Sequence, residues 1–237
     1  REAKVRTSWI NPNVAYENAV IQFVEALLDR RPTNRFLAEF RPLQQLVAYY
    51  GAVNSLSQTL IKITAPGVPD FYQGTEIWNF NLVDPDNRRP VDFSTRMRLL
   101  DELRYRIERS PEDLRELARE LWEHWTNGRV KLYVIVRALG FRRDHPALFM
   151  AGEYLPIEAQ GNRRDHVFAF ARILGTQKAL VVVPRLVARL TGAACTPPFG
   201  EAVWEGTMLA LPPEVVSPAY RNVMTGEVVH AAPLDGR

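Results

Sequence analysis

The chain has 237 residues, 46% of them hydrophobic and 24% charged, a globular composition long enough for one large or two modest cores. Its longest apolar runs, such as Ala179–Val183, fall far short of the roughly 20 residues that span a bilayer, so no membrane partner is expected. The formal net charge is +3, yet acids and bases alternate through Asp101–Arg109, the pattern of a solvated helix face and not of a nucleic-acid footprint.

Cys195 is the single cysteine, which excludes an intrachain disulfide and a multi-cysteine metal site and fits a reducing cytoplasm, the expected location. His124, His145, His166 and His230 show no ligand spacing, so neither a metal nor a cofactor is expected.

In chain order, Asn11-Pro12 reads as a helix cap and first helical residue, with Val14, Ile21, Val24, Ala26, Leu27 and Leu28 forming an apolar face up to about Asp29. Trp9, just before it, reads as a packing anchor. A second helix is expected from about Leu43 to Ile63, carrying Leu46, Val47, Tyr50, Val53, Leu56 and Leu60 at three- and four-residue spacings. Pro66-Gly67 stops it, and Val68–Tyr72 reads as one short strand.

Ser94 is the expected cap of a helix with Met97, Leu100, Leu103 and Ile107 inward, and Ser110-Pro111-Glu112-Asp113 reads as the start of the next. Leu114, Leu117, Leu121, Trp122 and Trp125 follow at helical spacing, so both tryptophans read as core. The β-branched run Val130–Leu139 suits helix or strand. From about Ala151 short alternating runs replace the helices: Tyr154–Ile157, His166–Ile173, Ala179–Val183, Ala202–Leu211 and Tyr220–Val229, the last folded over a turn at Met224–Glu227. This texture predicts an antiparallel β-sandwich.

The most informative stretch is residues 65–93. Ala65-Pro66-Gly67-Val68-Pro69-Asp70-Phe71-Tyr72-Gln73-Gly74-Thr75-Glu76 leads, after a short spacer, into Asp84-Pro85-Asp86-Asn87-Arg88-Arg89-Pro90-Val91-Asp92-Phe93. Carboxylates, carboxamides, guanidiniums and aromatic rings together suit a sugar, whose vicinal hydroxyls take planar donors and acceptors and whose faces stack on flat rings. A calcium loop at Asp84–Asn87 fails on spacing, because an EF-hand needs Gly where Arg89 stands and Glu where Thr95 stands.

This stretch resembles the eighth strand and following loop of the α-amylase superfamily of glycoside hydrolases, and within it the maltooligosyl trehalose synthase family. Arg6–Asn13, Leu132-Tyr133 and Asp165–Arg172 agree with the narrower match, so the resemblance runs over nearly the whole chain. It tips Val130–Leu139 to helix. It implies an α+β chain: residues 1–150 as the mainly helical end piece of a (β/α)8 barrel, and residues 151–237 as an all-β C-terminal domain.

The family's nucleophilic Asp, acid/base Glu and second Asp all precede the region that begins at Arg1, so the resemblance implies no catalytic residue here. What it implies is substrate binding by Tyr72, Gln73, Glu76, Trp78, Asp86, Asn87, Arg88 and Arg89, with maltooligosaccharide as the partner. The parent activity implied is an isomerase that rearranges the reducing-end linkage of maltooligosaccharides to a trehalosyl linkage. The alternative is a carbohydrate-binding or assembly module made independently. A partial barrel also leaves apolar faces without partners, so self-association of the chain is expected.

Overall fold

A computed structural model describes residues 1–81 and 88–231. The chain divides into two compact units, Arg1–Tyr50 and Gly51–Arg237. It is a mixed helix and strand protein in which helices precede an antiparallel sheet.

In the first unit, α1 spans Val14–Leu27. Its cap is Asn13, not Asn11: the Asn13 side chain accepts from the Tyr16 amide at 3.1 Å, while Asn11 is spent in a turn, its amide donating to Ser8 Oγ at 2.9 Å. Glu17, in the first turn of α1, accepts from Arg1 Nε at 2.8 Å and Thr7 Oγ1 at 2.6 Å, and Thr7 Oγ1 accepts from the Asn13 amide at 2.9 Å. Polar bonds therefore fasten the Arg6–Asn13 segment to the helix start.

Two apolar expectations fail in this unit. Trp9 is not an anchor: it is 62% exposed, with its ring under the Arg1 guanidinium at 4.7 Å and its indole N–H donating to Glu2 at 2.8 Å. No residue of α1 is buried, and Val14, Ile21, Val24 and Leu28 all face outward into solvent.

The second helix, α2, spans Arg35–Thr64 with Pro42 inside it. It starts well before Leu43 because Asn34 caps it: Asn34 Oδ1 accepts from the Leu37 amide at 3.3 Å and its amide group donates to the Leu27 and Asp29 carbonyls at 2.9 and 2.8 Å. The cap and the long run behind it outweigh the hydrogen bond that Pro42 forfeits. The division between the units falls within α2.

In the second unit, α3 (Phe93–Arg109), α4 (Arg115–Glu123), a 3-10 turn (Trp125–Asn127), α5 (Arg129–Asp144) and α6 (Pro146–Ala151) follow. Their core is Leu99, Leu103, Leu114, Leu117, Leu121, Val130, Leu132 and Tyr133, with Trp122 and Trp125 half-buried against it; each fully buried leucine contributes about 1.5–3 kcal/mol. The expected polar face becomes a cross-helix network, in which Arg129 meets Glu102 at 2.8 Å and Glu120 at 3.2 Å, and Arg106 meets Glu120 at 2.6 Å.

The starts of α3 and α4 differ from expectation for local reasons. Asp92 displaces Ser94 as the cap of α3, since its carboxylate accepts from both the Thr95 amide at 2.9 Å and the Thr95 hydroxyl at 2.6 Å. The helix expected from Ser110-Pro111 begins only at Arg115, because Leu114 is buried and its amide is taken by the Thr225 carbonyl at 2.9 Å.

The sheet runs β3-β2-β1-β4, all antiparallel: β1 Glu153–Gln160, β2 Val167–Leu174, β3 Gln177–Pro184 and β4 Met208–Ala210. Before β4 lie two short helices, α7 (Val187–Leu190) and α8 (Glu201–Trp204). Much of the expected Ala202–Leu211 strand is thus the turn of helix at α8, closed by the left-handed residues Glu205 and Gly206. A two-stranded ladder, β5 (Ala219–Arg221) with β6 (Val228–His230), closes over Asn222–Glu227, where the Asn222 amide donates to Glu227 O at 2.7 Å. No helix among the described residues is long and apolar enough to cross a membrane.

β2 is covered on both faces. Ala169 and Ala171 pack with Ile157 and Val215, whereas the alternate residues Phe170 and Arg172 are buried on the other face, where Arg172 reaches the Phe149 and Gly152 carbonyls. Phe149 and Gly152 flank the end of α6, so helices and sheet of this unit share polar contacts as well as apolar ones.

Candidate functional site

The loop after α2 does not form the expected strand. Val68–Tyr72 pairs with no other strand among the described residues, and Val68 is 99% exposed. A strand exists only through a neighbour's ladder. Here the Asp70 carbonyl accepts from Lys62 Nζ at 3.2 Å, and the Tyr72 carbonyl accepts from the Thr75 amide at 3.2 Å and its hydroxyl at 2.6 Å.

Beyond Tyr72 the chain turns sharply and is held by Arg96 of α3. Glu76 Oε2 accepts from Arg96 Nε at 2.9 Å, and Glu76 Oε1 from the Gly74 amide at 3.3 Å. Arg96 also donates to the Gly74 carbonyl at 2.6 Å and the Asp92 carbonyl at 3.0 Å. Glu76 is therefore occupied in shaping the turn, with both oxygens accepting within the loop and its support.

Trp78 is fixed from the other side. Its indole N–H donates to the Trp125 carbonyl at 2.6 Å, and the two rings meet edge to face with centroids 6.4 Å apart. Gly128, left-handed at φ +79°, makes this approach possible: a Cβ there would stand 2.9 Å from Ile77 Cβ and 3.0 Å from the Trp78 amide. Lys131, in the first turn of α5, sits 5.9 Å from the centre of the Trp78 ring. Lys62 lies 3.9 Å from the centre of the Phe71 ring.

The structure thus places the expected site residues in two groups. Glu76 and Trp78 are half-buried on the supporting side, against α3 and α5. Tyr72, Gln73, Arg88 and Arg89 are exposed, Tyr72 at 48%. Asp86 and Asn87 lie outside the described residues. Sequence reasoning missed Arg96 and Lys131, which read as members of solvated or apolar helix faces; the signals were Gly128, a left-handed position before α5, and the unpaired carboxylate that a turn at Glu76 brings in.

The ionisable groups here respond to specific causes. The Asp92 carboxyl is held below its ordinary value, first by the Thr95 hydroxyl and then by the Thr95 amide. The Lys131 ammonium is pushed below the usual lysine range by burial, then by Lys62, with Glu76 opposing. Among the described residues no cluster of His, Cys, Asp and Glu forms a metal site. What the arrangement offers is a turn held by Arg96 and by the Trp125 carbonyl, with Tyr72 and Gln73 exposed and the Lys131 ammonium against the Trp78 ring.

No family model matches the chain. The chain is 35% identical over 212 residues to proteins of two Mycobacterium tuberculosis strains, provisionally named as maltooligosyl trehalose synthase, covering 90% of this chain but 22% of theirs. Among solved structures, maltooligosyltrehalose synthase from Arthrobacter ramosus superposes with a TM-score of 0.70 at 32% identity, over 97% of this chain and 26% of that one. A hypothetical maltooligosyl trehalose synthase from Sulfolobus tokodaii gives 0.63 at 29% identity, over 97% and 25%. The neighbours of this chain in sequence and in structure are thus maltooligosyl trehalose synthases, and it matches a C-terminal portion of them.

Proposed function

We propose that the chain is the C-terminal portion of a maltooligosyl trehalose synthase and that its loop 65–93 binds the glucan. The observation that carries this reading is the 35% identity spread over 90% of the chain while covering 22% of the relatives. In this reading the parent enzyme converts the reducing-end α-1,4 linkage of a maltooligosaccharide to an α,α-1,1 linkage by intramolecular transglycosylation in the cytoplasm. Residues 1–150 complete a (β/α)8 barrel together with the rest of the enzyme, and residues 151–237 form a mainly β sandwich domain.

The chain's own part is binding and shaping. Retaining glycosidase chemistry needs two carboxyl groups held about 5 Å apart as nucleophile and proton donor. Glu76 is bonded to Arg96 and Asp92 caps α3, so neither is poised for that work. Tyr72 supplies an aromatic face, Gln73 and Asn87 carboxamides, Asp86 an acceptor, and Arg88 and Arg89 planar donors for vicinal hydroxyls.

The test has two arms. DNA upstream of the Arg1 codon is expected to encode, in frame, the first seven barrel strands with their catalytic Asp, Glu and Asp; a start codon adjoining Arg1 would overturn the reading in favour of a stand-alone carbohydrate-binding module. The isolated chain, incubated with maltopentaose, is expected to form no trehalosyl product above a buffer blank.

A further inference from the structure

Lys131 is a half-buried lysine with no acceptor among the described residues. Its stem lies in the first turn of α5 beside the core residues Val130 and Leu132, and its ammonium faces the Trp78 ring at 5.9 Å. Among the described residues no hydrogen bond or ion pair reaches it. The charges it feels are Lys62, which repels it, and Glu76, which attracts it, but both Glu76 oxygens already accept from Arg96 and the Gly74 amide.

An ammonium carries three donors, and removing it from water without a fixed acceptor costs stability. A lysine held partly out of water against an aromatic ring, with no fixed acceptor among the described residues, is a candidate for function. Its Nζ is not among the enclosed polar atoms that lack partners, so the tip is still reachable from solvent. Next to it stands the half-buried ring of Trp78. A donor set against an aromatic face is a combination that suits a sugar.

We propose that the Lys131 ammonium is a glucan-contacting group, donating to a sugar hydroxyl at the base of the Tyr72–Trp78 turn and setting how tightly that turn holds the oligosaccharide. The proposal rests on the reading of loop 65–93 as a glucan site. It places on α5 a binding residue that the loop motif itself does not contain.

The test uses the chain with its lysines 13C-dimethylated, titrated with maltopentaose in the millimolar range and followed by NMR, and the unmethylated chain followed by tryptophan fluorescence. The expected result is a saturable shift of the resonance that is missing from Lys131→Met, and a Kd weakened about tenfold in that variant, the loss of one charged hydrogen bond. Lys131→Met, which keeps the apolar stem against Trp78, is expected to melt at the same temperature as the wild type or higher. A Lys131→Met variant that binds maltopentaose as tightly as the wild type overturns the inference and leaves the glucan loop standing. A Lys131 resonance that responds to sodium acetate but not to maltopentaose overturns it in favour of an anion site, and a wild-type chain that shows no maltopentaose response by either probe overturns the glucan reading with it.

Discussion

Arg172 Nη1 donates to the backbone carbonyl of Thr64 at 3.2 Å, joining the central strand β2 to the last residue of α2. The same guanidinium donates to Phe149 O at 2.9 Å and Gly152 O at 2.8 Å, and Arg142 donates to the adjacent Ile63 carbonyl. Two arginines thus satisfy carbonyls that the end of a helix leaves without partners, where the helix dipole also favours a cation. Arg172 is 2% exposed, and burial followed by repulsion from Arg142 holds its pKa below the ordinary arginine value. Its compensation comes from carbonyl oxygens.

Replacing it is therefore expected to be severe. Arg172→Met leaves the Thr64, Phe149 and Gly152 carbonyls without their donor and should destabilise the second unit by about 3 kcal/mol, since each buried unsatisfied group costs about 1–3 kcal/mol. Urea unfolding followed by far-ultraviolet circular dichroism measures this. Arg172→Lys should recover less than half of the loss, because one ammonium cannot span three carbonyls set by a planar fork.

Gly128→Ala tests how the loop is seated. The left-handed φ and the 2.9 Å approach to Ile77 Cβ both oppose a Cβ, and a strained backbone position of this kind costs about 1–3 kcal/mol. The substitution should push Ile77-Trp78 off the start of α5. Loss of the Trp78–Trp125 edge-to-face contact would appear as a changed tryptophan emission maximum in the native state.

The N-terminal segment is expected to loosen in acid. Hydrogen bonds from Arg1 first and Thr7 second lower the Glu17 pKa from 4.5 to about 2. A carboxyl whose folded pKa is depressed stabilises above its unfolded pKa and loses that contribution as pH falls through the folded value. The Arg1–Asn13 segment should therefore detach between about pH 4.5 and 2, monitored by the amide resonances of Thr7 and Asn13. A Glu17→Gln variant should show the detached spectrum already at neutral pH.

Exposed apolar side chains predict association. In the first unit Ile21 and Val24 of α1, Leu28 after it, and Leu43 and Val47 of α2 all face solvent, and exposed apolar side chains of this kind favour assembly. Sedimentation should show a concentration-dependent oligomer, and hydrogen exchange should be faster over residues 14–47 than over β2 and β3. A monomer with uniform protection would contradict both.

Arg88→Ala and Arg89→Ala, introduced in the complete enzyme that the chain is proposed to belong to, should lower turnover of maltopentaose about tenfold to a hundredfold, equivalent to about 1.5–3 kcal/mol for a charged hydrogen bond to sugar. The melting temperature should stay within about one degree, since surface substitutions usually change stability by less than about 0.5 kcal/mol. Lysine should not rescue whichever arginine binds through its planar fork.

Local sequence determined the helices through apolar spacing, the hairpin turn at Met224–Glu227, and strands β1, β2 and β3, because these depend on neighbours in the chain. The glucan-suited composition of residues 65–93 was legible for the same reason: it is written in side-chain types. Helix starts were misplaced wherever a competing acceptor stood nearby, as Asp92 does beside Ser94 and the Thr225 carbonyl does for Leu114. Tertiary structure alone decided that Glu76 belongs to Arg96, that Trp78 leans on Trp125, and that Lys131 faces the Trp78 ring. Those outcomes depend on which helix face the loop meets, and a single strand such as Val68–Tyr72 takes its conformation from a partner ladder that its own residues cannot specify.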